Sequence, residues 1–268
     1  MVMINFDSKN NMSILQQVQN KQDTLFERLA SGRRVNSAAD GAAAQQIIDR
    51  LTAQENGLGQ AFRNSFDGVS LTQVAEGGLS GINSDVNRIR ELSIQAGNGI
   101  LSQTDRDAIQ SEITQLQDNI QQTVDQTEFG GKPLLSNNGN LDFQVGANGG
   151  QNISVATQDI ASSLSDVLSI DVTTAQGASN AIVAADSAVE TVGSARSDLG
   201  AVQNQFESAA RNLAQTQQNV AAANSRIGDT DFAQAASERA ANDVLSQSAI
   251  AVQVQSAQRQ SQVLSLLS

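Results

Sequence analysis

Residues 87–95 read NRIRELSIQ, placing two guanidinium groups, Arg88 and Arg90, beside the carboxylate of Glu91 in a stretch that otherwise has helical apolar spacing. Such a group could belong to an active site, to a solvated helix face, or to a surface that another molecule reads. Composition argues against the first. The chain has no His, no Cys and no Tyr, which removes the commonest proton shuttle and the commonest nucleophiles. Carboxylate pairs remain at Asp105/Asp107 and Asp229/Asp231, but both stand at helix starts, where acidic side chains complement the dipole. The glycines of GANGGQ (146–151) lack the strand-to-helix setting of a phosphate loop and read as turn chemistry. No catalytic, metal or cofactor site is expected.

The question then becomes what scaffold carries Arg88 and its neighbours. The 268 residues include eight Phe, no Trp and a single Pro, with aromatics at 3%. Little large side-chain material is available for a rounded core; long helices meeting along narrow seams tolerate such a mixture. The net charge of −12 opposes a phosphate backbone, so nucleic acid is not expected as a partner. No run approaches the ~18 apolar residues of a membrane-spanning helix, and no membrane insertion is expected. The first residues, MVMINFDSKNNMS, lack a basic region followed by an apolar run, so no cleaved signal peptide is expected, and a chain that left the cell would use another route.

Apolar spacing gives the elements. Ile182, Ala185, Val189, Val192, Leu199, Val202, Phe206, Leu213, Val220 and Ile227 recur at steps of three and four, interrupted by polar members such as Arg196 and Thr216. This predicts a heptad seam of about 46 residues, or roughly 70 Å at ~1.5 Å per residue. Shorter seams precede it. Leu15, Val18, Gln22, Leu25 and Leu29 stop at Gly32; Leu58, Phe62, Phe66 and Val69 continue into Leu79, Ile82, Val86 and Ile89; Ile109, Ile113, Leu116 and Ile120 form another. Thr104 with Asp107 resembles a capping box for that last helix. Gly77, Gly78 and Gly81 loosen the middle of the second seam.

Between residues 134 and 156 the period changes to two: Leu141, Phe143 and Val145 alternate with polar residues, as do Ile153 and Val155. This predicts a β-hairpin with a longer loop. Residues 157–178 read as irregular with short ordered pieces. From Phe232 a final amphipathic helix, opened by GDTD, runs through Val244, Ile250 and Val254 to Val263, Leu264 and Leu267. The expected fold is mainly α: a long antiparallel coiled-coil bundle with one β-hairpin between N- and C-terminal helical halves. Residues 1–40 and 228–268 form one domain and 41–227 a rod-like second. The terminal helices have only each other to pack against, which leaves apolar surface wet, so the chain is expected to self-assemble. Leu15, Val18, Leu25, Leu29, Val244, Ile250, Val254, Val263, Leu264 and Leu267 are the expected polymerisation seams.

Several longer motifs now add to this reading. ERLASGRRVNSAAD (27–40), NSFDGVSLTQVAEGGL (64–79), NRIRELSIQAGNG (87–99), GAVQNQF (200–206), ANSRIGDTDFA (223–233) and the terminal VLSLLS resemble bacterial flagellin, in the minimal form that keeps only the filament-core domains. The resemblance implies an extracellular filament subunit for swimming motility, exported through the flagellar type III apparatus. Its implied partners are further copies of itself, an export chaperone, the filament cap, hook-junction proteins and the Toll-like flagellin receptor. It also implies that Arg88, Arg90, Glu91, Leu92 and Gln95, with Glu112 on a neighbouring helix, form a surface used in subunit contacts and read by that receptor. Helix spacing puts Arg88, Leu92 and Gln95 on one face. The chain departs from the family pattern at Asn87, at Gln45 and Gln46 beyond Asp40, and at Ser268. Other readings of long Ala- and Gln-rich heptads are a hook–filament junction protein, a chemoreceptor-like signalling hairpin and an enzyme on a helical bundle. Asn152 opens a glycosylation triplet, and the Ser and Thr residues from Ser154 to Ser169 are further candidate sugar acceptors.

Overall fold

The computed structural model describes the backbone of residues 2–267 and the side chains of residues 12–259, 261 and 262. Among the described residues the elements follow in the order α1 (Val2–Ser31), α2 (Ala38–Ala96), α3 (Gln103–Gln126), β1 (Glu128–Phe129), β2 (Lys132–Pro133), β3 (Gly139–Gln144), β4 (Asn152–Thr157), α4 (Ile160–Ser163), α5 (Ser165–Leu168), α6 (Ala175–Gly228) and α7 (Phe232–Leu267). Among the described residues no helix is long and apolar enough to cross a membrane. The chain divides into two compact units, residues 1–55 with 218–268, and residues 56–217. The division falls inside α2 and α6, not at the 40/41 and 227/228 boundaries that the motifs suggested. Gly32 and the GDTD turn end helices, and the backbone of α2 leaves helical geometry once, at Gly41.

The unit of residues 56–217 is built on α2, α3 and α6. Ion pairs register the helices antiparallel: Arg88 to Glu112 between α2 and α3, Arg90 to Asp186 and Arg196 to Glu76 between α2 and α6. Its core draws Leu79, Ile82, Val86 and Ile89 from α2 and Ile109, Ile113 and Ile120 from α3. The spacing of three and four on each helix is what turns these side chains inward. On α6 the period was legible and the phase in part: Ala185, Val192, Leu199, Phe206 and Leu213 are buried as the seam predicts. Ala181, Ala188 and Ala195 are buried, whereas Ile182, Val189 and Arg196, one position further on, are partly exposed. Close approach to α2 admits alanine at those positions and moves the longer side chains to the flank. Narrow seams of this kind explain a core with so few aromatics.

The α2–α3 connection depends on a buried cation. Arg106 lies in core phase one turn before Ile109 and is 8% exposed. Its guanidinium donates to the carbonyls of Ala96 and Asn98, at the end of α2, where backbone carbonyls have no helical partner and the dipole favours positive charge. The chain therefore leaves α2 early enough for Ser102 to cap α3. Ser102 Oγ accepts from the Asp105 amide at 3.3 Å, and the Ser102 amide donates to Asp105 Oδ2 at 3.0 Å. This corrects the expectation for Thr104 and Asp107, which repeat the same spacing two residues later and lie within the helix.

β3 and β4 form the expected antiparallel hairpin, with Leu141 opposite Val155 and Phe143 opposite Ile153. Asn64 of α2 donates to the Gln144 carbonyl at 2.9 Å, and the Phe143 ring meets Phe206 edge-on at 5.3 Å. A second, two-residue ladder, β1 with β2, turns through Gly130 and Gly131, both at positive φ. Gln110 and Gln117 of α3 hold the irregular segment after the hairpin by donating to the carbonyls of Ile170 and Val167 at 3.1 and 2.9 Å.

In the other unit α1 packs antiparallel on α7. Gln22 donates to Asp243, and Asn242 to the Val18 carbonyl at 3.0 Å. The Arg239 guanidinium lies 5.2 Å from the Phe26 ring centroid. α1 ends at Gly32, whose φ of +70° is open to glycine at little cost. The backbones then cross: the Arg34 amide donates to the Gly228 carbonyl at 2.7 Å and the Thr230 amide to that of Gly32 at 2.9 Å. Asp231 caps α7, accepting from the amides of Ala233 and Gln234 at 2.9 and 3.1 Å.

Candidate assembly surfaces

Two surfaces follow from this scaffold. The first is on α1 and α7. Leu25 is buried, and Leu15, Val18 and Leu29 are half-buried, on the side of α1 that faces α7. The covered side of α7 carries small and polar residues, Ala235, Asn242, Ser246, Ala249 and Ser256. Its large apolar residues are elsewhere: Val244, Leu245, Ile250, Val252 and Val254 are all between 49% and 64% exposed. At ~3.6 residues per turn these five surround the helix on every side except the one against α1. Large apolar side chains left outward on a helix already packed along one side call for a further partner. The single amphipathic stripe expected of this helix is corrected accordingly. Met12, Ile14 and Phe26 of α1 are exposed as well. Val263, Leu264 and Leu267 lie outside the described side chains.

The second surface is the Arg88 group, which the structure divides. Arg88 Nη2 and Nε donate to Glu112 Oε1 at 2.7 and 3.1 Å, and Nη1 to Glu91 Oε2 at 3.1 Å. These bonds, that to Glu112 foremost, raise the pKa of the guanidinium still further. Gln95, seven residues on, stands exposed on the same face. Arg90 belongs to a different groove, where Nε pairs with Asp186 Oδ1 of α6 at 2.6 Å. Leu92 belongs to neither. It is 2% exposed, which corrects its placement beside Arg88: packing against both α3 and α6 widens the buried stripe of α2 to take in Leu92 and Ser93 with Ile89. Nothing in the sequence marked Asp186 as a partner. Arg106 did carry a signal, a charged residue at an apolar phase.

The carboxylates at helix starts are caps. Ser102, first through its side chain, holds the Asp105 carboxyl below its usual pKa. The amides of Asn36 and Ser37 do the same for Asp40 at the start of α2. Among the described residues no group of three carboxylates is gathered for a metal ion.

A helical bundle whose terminal helix turns its large apolar side chains away from its own chain defines a self-assembling structural protein. The family model of the bacterial flagellin N-terminal helical region matches residues 2–140, and that of the C-terminal helical region matches residues 182–267. The chain belongs to the bacterial flagellin family. It is 37% identical to the flagellin of Bacillus subtilis (strain 168), over 98% of each chain. It is also 37% identical to the flagellar filament 30.7 kDa core protein of Treponema maltophilum, over 91% of each. In three dimensions it is similar to the crystal structure of Bacillus cereus flagellin, with a TM-score of 0.53 at 25% identity, over 60% of this chain and 94% of that one. It is a structural subunit of the flagellar filament in its short, core-only form, in a family that builds an extracellular filament.

Proposed function

We propose that residues 1–55 with 218–268 are the unit through which copies join, and that neighbouring copies cover the apolar faces α1 and α7 leave open. The observation that carries this is the inversion on α7, with small and polar residues against its own chain and valine, leucine and isoleucine outward. Covering five such side chains contributes on the order of 10 kcal/mol, comparable with the ~4–15 kcal/mol that association costs. Several neighbours together therefore stabilise the polymer where one would not. Charge supports the same division. Nine basic and ten acidic residues nearly balance in this unit, while residues 56–217 hold seven basic against eighteen acidic. The nearly neutral unit suits a crowded interior and the acidic one a solvated exterior.

On this reading Arg88, Glu91, Gln95 and Glu112 form a solvent-facing patch available to another copy or to the Toll-like flagellin receptor, with Arg90 on an adjoining groove. The export chaperone, filament cap and hook-junction proteins are the further proposed partners. The test is Val244→Asp with Val252→Asp, both at exposed positions. Electron microscopy of the seeded protein is expected to find no filaments, with the melting of the monomer unchanged. Filaments at the wild-type critical concentration would refute the reading.

A further inference from the structure

The acidic unit raises a question of its own. Copies that each carry eighteen acidic against seven basic residues there meet with least repulsion where charge is sparse. Two long charge-free stretches of surface stand at different levels of the unit. One is the tip formed by the end of α2, its turn into α3 and the start of α6. Residues 92–104 and 172–185 contain no charged residue, and the two runs meet where Gly97 faces Ala178. Here Ile100 is 86% exposed, Val183 65% and Ile94 51%. Ile94 and Val183 lie one turn beyond the Arg90–Asp186 pair, on the face that pair bridges. The Ile100 turn is braced: Arg106 holds the carbonyls of Ala96 and Asn98, and Asn98 Oδ1 accepts from the Ile100 amide. A rigid turn thus presents a bare isoleucine to solvent.

The other place lies at the root of the hairpin. Residues 143–158 are also uncharged. Beside them is a cleft of about 140 Å³ lined mainly by Leu71, Ala75, Leu79, Leu135, Val155 and Leu199, with Ala156 and a single carboxylate, Asp198, at its exposed rim. Apolar cavities of roughly 150 Å³ admit a benzene-sized group, so a four-carbon isoleucine side chain fits. Along α2 the cleft sits about 20 residues from the tip, roughly 30 Å at ~1.5 Å per residue. No chain can fill its own cleft with its own tip.

We propose that the Ile100 tip of one copy seats in the hairpin-root cleft of the next. The two patches are different surfaces of one molecule, so the contact is head-to-tail and repeats without closing on itself, as an open filament requires. This rests on the self-assembly reading above and names a contact within it, separate from the terminal helices.

The test uses the absence of cysteine. Ile100→Cys and Ala156→Cys are introduced together in the full-length chain, which is assembled on seeds and oxidised. A disulfide needs Cα atoms within ~7 Å, so a bond between these positions can form only between copies. A ladder of covalent dimers, trimers and longer species is expected from the assembled double variant, and from neither single variant nor the unassembled monomer. Filaments without a ladder would overturn the proposal and leave the terminal-helix reading standing, as would dimers from Ile100→Cys alone. Failure of the unmodified chain to form filaments would remove that reading and this one with it. Ile100→Asp is a second measure: its critical concentration is expected to rise roughly 10-fold or more at unchanged monomer melting, and an unchanged value would also overturn the contact.

Discussion

The ring of Phe206 lies directly against the backbone of Gly68, where a β-carbon would stand 2.4 to 2.7 Å from three ring carbons. Phe206 is fully buried and also meets Phe143, so the ring has little room to retreat. Gly68→Ala should therefore destabilise the protein by about 1–3 kcal/mol through overpacking, although alanine gains up to ~1 kcal/mol of helix propensity. Urea denaturation decides between the two. A variant more stable than wild type would mean that this contact is looser than the structure has it.

A second comparison sets a buried arginine against an exposed one. Arg106 is 8% exposed and donates to two carbonyls; Arg88 is about half exposed and pairs with two glutamates. Arg106→Met leaves the Ala96 and Asn98 carbonyls short of a donor and should cost ~1–3 kcal/mol. Arg88→Met removes a surface ion pair and should cost no more than ~1 kcal/mol. Equal losses in urea denaturation would contradict this ranking. A loss of assembly with Arg88→Met at near-normal stability would support a contact role for its face.

The same contrast explains what the sequence could convey. Period and element type were legible because apolar residues at three and four steps mark α2, α3 and α6 regardless of their neighbours. The Leu141, Phe143, Ile153 and Val155 alternation marked the hairpin in the same way. Phase was harder. Isoleucine outranks alanine in any single-helix reading, yet Ala181 is buried and Ile182 is not, because the spacing to α2 decides. The capping box was misplaced by two residues for a related reason: SQTDRD offers the same spacing twice, and the reach of Arg106 selects Ser102. Of the surface around Arg88, the resemblance named Glu112 but not its pairing with Arg88, and the separation of Arg90 was not legible, since Asp186 lies 96 residues away.

The caps predict how stability responds to acid. Asp105 has its carboxyl pKa lowered, chiefly by the Ser102 side chain and then by the Ser102 amide. A lowered folded pKa means that the contribution is present above the unfolded value of ~3.9 and is lost as pH falls through the folded value. The difference in melting temperature between wild type and Asp105→Ala should thus be constant near neutrality and shrink below about pH 4. A difference that widened on acidification would show that Asp105 does not act through its charged form.

Charge partition makes a final prediction about assembly itself. Attraction in the proposed polymer comes from apolar burial, which moderate salt leaves nearly intact, while each added copy brings a strongly acidic unit beside others of the same sign. The Debye length falls from ~30 Å at 0.01 M to ~8 Å at 0.15 M ionic strength. Repulsion between neighbouring exteriors should therefore be screened while the interior contacts persist. The critical concentration for seeded filament growth is expected to fall across that range, and sedimentation of polymer from monomer measures it directly. A rise would mean that ion pairs between copies, and not apolar faces, hold the subunits together.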